Sequence, residues 1–328
     1  MKVLVTGGAG YIGSVACEEL VEAGHQVVVY DNLSNGHRDA VIESAELVCA
    51  DLEDAETLRK TLSENIDAVI HLAAHSIVGE SVENPAKYYR NNVWNGIVLL
   101  DAMRDAGVSR IVFSSTAAVY GKPDQQPITE TARIIPTNPY GRSKSLFEDA
   151  LRWYRESHSF RFNSLRYFNA AGASERFGED HSPETHLIPV ALEVAAGKRD
   201  FVEVFGEDYP TPDGTCVRDY IHVTDLARAH VLALDHLNDA LSRDKIYNLG
   251  CGGTGYSVKQ VLETVHQVTG KKISTRPASR RAGDPPVLIA SSEKIKHELG
   301  WNPQYQDLGV IIETAWRWMQ AHPDGYSK

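Results

Sequence analysis

Lys2-Val3-Leu4-Val5-Thr6-Gly7-Gly8-Ala9-Gly10-Tyr11-Ile12-Gly13 is the stretch that decides the fold. A short apolar run passes directly into glycines, and a helical pattern follows from Tyr11 to Ala23. Glycines spaced G-x-x-G-x-x-G between a strand and a helix allow a tight turn. They also let backbone approach a pyrophosphate at the helix N-terminus. Asp31 closes the next Val-rich run, 18 residues after Gly13. An acid there binds adenosine ribose hydroxyls and repels a 2′-phosphate, so the pattern favours NAD over NADP. Position and spacing together outweigh the alternative of a structural turn with a capping aspartate.

The same alternation continues outward. Strand-like runs recur at residues 45–49, 67–72 and 110–113, separated by helical patterns at 55–64 and 85–106. Short apolar strands alternating with helices imply βαβ units and a Rossmann-like, doubly wound parallel sheet covered on both faces. Such sheets bind ligands beyond the carboxyl ends of their strands, where Gly7, Asp31, Asp51, Ala73 and Ser114 all fall. Asp51 with Leu52 is placed to reach an adenine, or else to cap the helix beginning near Ala55. Asn91 reads equally as a buried amide organising loops or as part of a polar helix face.

Beyond about residue 170 the texture changes. Residues 172–185, 209–214 and 276–286 are loop-like, and helical patterns return at 187–196, 223–237, 257–269 and 308–321. The expectation is a cofactor domain over 1–170, rejoined by segments near 216–237. A smaller mixed α/β substrate domain over 171–328 completes it.

The 328 residues are 42% hydrophobic and 23% charged, which fits an ordinary globular protein. A net charge of −11 argues against nucleic acid or an anionic membrane as the main partner. Cys17, Cys49, Cys216 and Cys251 form no CxxC pair, so no metal ribbon or redox motif is indicated, and reduced thiols in a cytoplasmic protein are expected. No signal peptide and no membrane-length apolar run is visible.

Asn138-Pro139-Tyr140-Gly141-Arg142-Ser143-Lys144 carries the chemistry. Asn138 suits an N-cap and Pro139 the first helical position, which sets Tyr140 and Lys144 one turn apart on one face. A free tyrosine titrates near pH 10, and an adjacent ammonium favours the phenolate. The expectation is a Tyr140 phenol lowered toward working pH, able to accept a proton.

On these motifs the chain resembles the extended short-chain dehydrogenase/reductase superfamily, and within it the UDP-hexose 4-epimerases. The resemblance spans nearly the whole chain. It rests on Val5-Thr6-Gly7-Gly8-Ala9-Gly10-Tyr11-Ile12-Gly13, Asp31-Asn32-Leu33, Val78-Gly79-Glu80-Ser81-Val82, Tyr88-Tyr89-Arg90-Asn91-Asn92-Val93 and Leu165-Arg166-Tyr167-Phe168-Asn169. The more specific later motifs are Gly214-Thr215-Cys216-Val217-Arg218-Asp219-Tyr220-Ile221-His222-Val223 and His322-Pro323-Asp324-Gly325-Tyr326.

The resemblance implies NAD-dependent, reversible C4 epimerisation of a UDP-hexose, UDP-glucose or UDP-galactose, through a 4-keto intermediate. It implies Tyr140 as catalytic base/acid, Lys144 as its partner on the nicotinamide ribose, and Thr116 as the hydroxyl at the sugar 4-oxygen. It assigns Asn32, Asn35, Gly36, Asp51, Leu52, Leu72, Ala73, Ala74, Ser76, Asn91 and Phe168 to the cofactor, with the glycine loop and Asp31. It assigns Asn169, His186, Leu187, Val204, Phe205, Arg218, Arg281, Asp284 and Leu288 to the substrate. A cytoplasmic homodimer is also implied, paired through the helices at 85–106 and 138–157.

Neighbouring reactions on the same scaffold leave different residues. The 4,6-dehydratases carry acids just after the threonine, where this chain has Ala117 and Ala118, and the glutamate of uronate decarboxylases is missing too. Joint retention of Tyr140, Lys144 and Thr116 speaks against a non-catalytic NAD-binding protein. The lysine often found near the sugar is replaced by Ser76, after His75. Leu288 sits where bulk gates a 2-acetamido group, so N-acetylated or uronate UDP-sugars remain alternative substrates.

Overall fold

The computed structural model describes residues 1–238, 245–281 and 284–327. In chain order the first half runs β1 (Lys2–Thr6), α1 (Tyr11–Glu22), β2 (Gln26–Asp31), β3 (Glu46–Cys49), α2 (Ala55–Leu62) and β4 (Ala68–His71). It continues with α3 (Val78–Glu83), α4 (Pro85–Tyr88), α5 (Asn95–Ala106), β5 (Arg110–Thr116), α6 (Pro139–His158) and β6 (Arg161–Tyr167). The second half has β7 (Asn169–Ala171), α7 (Leu187–Ala195), β8 (Val202–Phe205), β9 (Val217–Arg218), β10 (Tyr220–His222), α8 (Val223–His236) and β11 (Lys245–Leu249). It ends with β12 (Tyr256–Ser257), α9 (Val258–Thr269), β13 (Thr275–Ala278), β14 (Val287–Leu288), α10 (Glu293–Leu299) and α11 (Leu308–Ala321).

Seven strands form one sheet in the order β3-β2-β1-β4-β5-β6-β11. Every pairing in it is parallel. The alternation of side chains along a strand explains why the runs are apolar throughout. Val3 and Val5 enter the core shared with α1 and α8, whereas Leu4 enters the opposite core, shared with α2, α5 and α6. Each fully buried Val or Leu side chain contributes roughly 1.5–3 kcal/mol. The strand order reverses between β1 and β4, which opens a ligand crevice above their carboxyl ends.

The helical pattern at 85–106 is interrupted. Residues Tyr89–Trp94 form a π-helical turn between α4 and α5. Such widened turns recur at functional sites, and this one turns Asn92 inward. Its amide accepts from the His75 N–H (2.9 Å) and donates to the His75 carbonyl (3.0 Å) and the Ser143 hydroxyl (3.1 Å). Asn92, rather than Asn91, is thus the loop-organising amide.

The second half also departs from a simple loop-rich reading. β11 supplies the edge of the main sheet and α8 packs on α1. β9 pairs with β12 and β14, while β13 pairs with β8, so part of the 276–286 segment is a strand. Residues 282–283 of that segment lie outside the described residues. Among the described residues no helix is long and apolar enough to cross a membrane.

Candidate active site

The Tyr140 helix begins as its sequence requires. The Asn138 side chain accepts from the Gly141 N–H at 2.8 Å, and Pro139 occupies the first turn. Gly141 has no room for a side chain, because a Cβ there would lie 2.4 Å from the Ala118 carbonyl oxygen. This close approach sets the first turn of α6 against the turn after β5. It brings Tyr140, 8% exposed, beside the Thr116 hydroxyl, which favours the ionised phenol. Thr116 also accepts from the Ala118 N–H at 3.2 Å, which fixes the direction of its oxygen.

Lys144 is 3% exposed. Its ammonium donates to the Ser114 carbonyl at 2.8 Å and lies 4.9 Å from the centre of the Phe113 ring. The expected lowering of the Tyr140 phenol is not found. Burial raises it above its ordinary value, Tyr167 and Tyr88 add to the rise, and only the neighbouring Thr116 hydroxyl opposes it. Burial likewise pushes Lys144 down to about 7, against the pull of Glu148. The physical reason is desolvation, which disfavours both charged forms.

Behind this pair lies a charged network that motif reasoning missed. Glu148 accepts from the Ser115 hydroxyl at 2.6 Å and from Arg166 Nε at 2.9 Å; Arg166 Nη1 reaches the Tyr120 hydroxyl at 2.9 Å. Tyr120 donates onward to Asn248 Oδ1 at 2.7 Å. Arg166 and Glu148 are each 1% exposed. The signal was available, since Tyr140, Lys144 and Glu148 repeat at intervals of four on α6.

At the N-terminus the loop geometry fits a dinucleotide. Gly7 takes a positive φ of 74°, and a Cβ on Gly13 would lie 2.0 Å from the Gly7 carbonyl oxygen. A Cβ on Gly10 would meet only that same oxygen, at 3.4 Å, so backbone is open there. Gly10 is also the N-cap of α1 and brings no side chain to its first-turn N–H groups. Asp31 accepts from the Ala9 N–H (3.0 Å) on one oxygen and the Leu33 N–H (2.8 Å) on the other, leaving lone pairs on both.

The adenine end fits as well. Asp51 does not cap α2, because Asp54 does. Asp51 instead accepts from Asn32 Nδ2 at 2.6 Å and from the Glu53 N–H at 2.9 Å. Asn95 points its Nδ2 toward the same carboxylate at 3.4 Å, and its own Oδ1 is buried without a hydrogen-bond partner. An exocyclic amine beside Asp51 is the kind of donor this oxygen lacks. Leu72 and Ala73 both donate to the Thr6 carbonyl, at 3.0 Å each, holding that backbone beside Gly7, with Ala74 next in the chain. Tyr11 and Ile12 open α1, Leu52 is buried, and Asn35 and Ser76 are exposed. Gly36 packs against Ala9. Asn91 is half-buried and donates to Asn92 Oδ1 at 3.0 Å.

The substrate candidates fall into two groups. Leu288 lies opposite Arg218 in the β9–β14 pair, and both Leu288 and Phe168 pack on the cluster of Val119, Tyr120 and Ile128. Arg218 Nη2 lies 3.3 Å from Asp284, Arg281 stacks 4.1 Å over the Phe205 ring, and Asn169 donates to the Asp219 carbonyl at 2.8 Å. Val204 is buried beside Phe205 on β8. Asp219, unforeseen from sequence, is buried with its carboxylate on the Cys251 and Ala290 N–H groups, and burial raises it to about 6. His186 and Leu187 lie at the start of α7, the His186 ring turned toward Glu179 and Glu184.

Comparison with known proteins agrees with this geometry. Residues 3–250 match the model of the NAD dependent epimerase/dehydratase family. The UDP-glucose 4-epimerase of Corynebacterium glutamicum is 53% identical over 325 residues, covering 99% of this chain and 97% of its own. A crystal structure of UDP-glucose 4-epimerase from Brucella ovis in complex with NAD superposes with a TM-score of 0.93. It is 48% identical and covers 96% of this chain and 97% of its own. The Bifidobacterium longum enzyme in complex with NAD⁺ and UDP also gives 0.93, at 38% identity over 99% of this chain and all of its own.

Proposed function

The chain belongs to the NAD dependent epimerase/dehydratase family, and from that premise we propose that it is an NAD-dependent UDP-glucose 4-epimerase. It interconverts UDP-galactose and UDP-glucose through a 4-keto sugar. The observation that carries the reading is Thr116 beside Tyr140, with Ala117 and Ala118, and no acid, on the turn that follows.

Bound NAD supplies the acceptor for the C4 hydride and gives it back. The chain's own residues do the rest. Tyr140 takes the 4-hydroxyl proton, through or beside Thr116, whose hydroxyl both donates and accepts. The buried Lys144 contributes positive charge beneath the site when protonated. Arg218 and Arg281 hold the diphosphate, with Asp284 on the uridine ribose, so the hexose can turn while its anchor stays fixed. Leu288, near Phe168, borders the sugar. Residues 1–170 with the returning α8 hold the cofactor, and 171–328 hold the nucleotide sugar.

Two further readings belong to this proposal. Trp94 and Trp153 are 61% and 72% exposed beside and on the helices α5 and α6, and a second copy of the chain covers them in a homodimer. A monomeric mass by light scattering rejects that. Four free thiols suit the cytoplasm, and recovery from a secreted fraction counts against it. The reaction itself is tested by incubating purified protein with UDP-galactose and no added NAD. UDP-glucose is expected, and no turnover with or without NAD rejects the assignment.

A further inference from the structure

Between β7 and α7 the chain runs Glu179-Asp180-His181-Ser182-Pro183-Glu184-Thr185-His186, without regular secondary structure. Glu179, His181, Glu184 and His186 nevertheless converge, each offering one ligand atom within 4.8 Å of the others. We propose that these four side chains form a closed, structural binding site for a divalent transition-metal ion, with Zn²⁺ the best fit.

Geometry is the first support. His181 Nδ1 lies 2.9 Å from Glu179 Oε1, and His186 Nδ1 lies 3.0 Å from that same oxygen. His186 Nδ1 is 2.8 Å from Glu184 Oε1, and His181 Nδ1 is 4.0 Å from Glu184 Oε2. Zinc bonds to imidazole and carboxylate of about 2.0–2.2 Å place tetrahedral ligands roughly 3.3–3.6 Å apart. These separations straddle that edge length, and all four ligand atoms lie within 4.8 Å of one another, so shifts on the order of an ångström close the site. Both rings present Nδ1, leaving the opposite nitrogen free to carry the proton of the neutral tautomer.

Charge is the second. The Glu179 and Glu184 side chains are only 8% and 5% exposed. Burying two carboxylates so close together is costly unless they are paired or neutralised, beyond the two backbone N–H bonds, from Thr185 and His186, that Glu184 Oε1 accepts. Protons compensate by neutralising a carboxyl or by charging the imidazoles, whose ring centres are 5.6 Å apart. One divalent ion compensates both carboxylates with both rings neutral. Two nitrogens and two carboxylate oxygens suit Zn²⁺, and four protein ligands leave no open position for catalysis.

The location explains what such an ion does. The His181 ring meets Tyr11 edge-on, 6.3 Å between centres, and Tyr11 is the first residue of the helix that follows the glycine loop. Asp180, between two of the ligands, contacts both His37 and the Tyr326 N–H. The ion therefore pins an otherwise irregular segment against the cofactor end of the molecule.

The test uses tag-free full-length protein, stripped with chelator and titrated with Zn²⁺ alone. One ion per chain is expected, with affinity falling at least tenfold in His181→Gln and in His186→Gln, and unchanged in the control His266→Gln. Co²⁺ in place of Zn²⁺ is expected to give tetrahedral d–d absorption that both site variants lose. Glu179→Gln is a further variant, and the partly exposed His181 keeps the test usable where it does not fold. No stoichiometric binding, or equal binding by wild type and site variants, overturns the proposal and leaves the cluster held by protons.

Discussion

The Lys144 ammonium is docked on the Ser114 carbonyl, 2.8 Å away, and Tyr140, one turn earlier on the same helix, stands beside Thr116 at the end of the same strand. The two side chains share a helix face, yet each faces its own residue of β5. Their proximity therefore does not make a phenolate in the chain alone; burial keeps the phenol protonated and the amine close to neutrality.

That arrangement predicts a distinctive pH dependence of stability for NAD-free protein. An unfolded lysine titrates near 10.4, whereas Lys144 folded titrates at about 7. Below pH 7 it is charged in both states, and its full desolvation cost weighs on the fold. As pH rises from 7 toward 10 the folded state sheds that proton while the unfolded chain keeps it, so stability rises. Chemical denaturation of wild type and Lys144→Met at pH 6 and pH 9 is expected to show wild type gaining on the order of 2 kcal/mol relative to the variant. A constant difference across that range contradicts the buried, depressed lysine.

Arg166 and Glu148 predict a different effect. Removing one member of a fully buried pair leaves an uncompensated charge, which costs about 3–5 kcal/mol. Arg166→Met is expected to lose about that much in urea denaturation. The double replacement Arg166→Met with Glu148→Leu is expected to recover much of it. A double variant no more stable than the single one shows that the network does more than balance its own charges.

Leu288 predicts a change in selectivity. It lies opposite Arg218 and shares a cluster with Phe168, so with the sugar placed as we propose, extra bulk there enters the space beside it. Leu288→Tyr is expected to lower turnover of UDP-N-acetylgalactosamine relative to UDP-galactose by about tenfold, within the range that a steric pocket change delivers. An unchanged ratio rejects a gating role.

The sequence made the sheet and the site legible to different depths. β1, the glycine loop and Asp31 were readable because strand period, glycine spacing and a single acid are all local signals. Tyr140 and Lys144 were readable for the same reason, through Asn138 and Pro139. Their titration was not, because desolvation depends on what the rest of the chain packs around them. The π-turn at Tyr89–Trp94 hid inside a continuous helical pattern, since one extra residue per turn barely disturbs apolar spacing. The partnership of Glu148 on α6 with Arg166 on β6, 18 residues away, is set by tertiary contact, and the convergence at Glu179, though local in the chain, depends on how an irregular segment folds back on itself.

The central claim is that Tyr140 drives a reversible oxidation at C4 in which the same hydrogen leaves and returns. UDP-galactose carrying deuterium at C4, converted by the wild-type protein in ordinary water, tests it most directly. Mass spectrometry of the UDP-glucose formed is expected to find the deuterium still at C4, with Tyr140→Phe slowing conversion by about a hundredfold or more. Loss of the label to solvent, or near-normal turnover by Tyr140→Phe, contradicts the account.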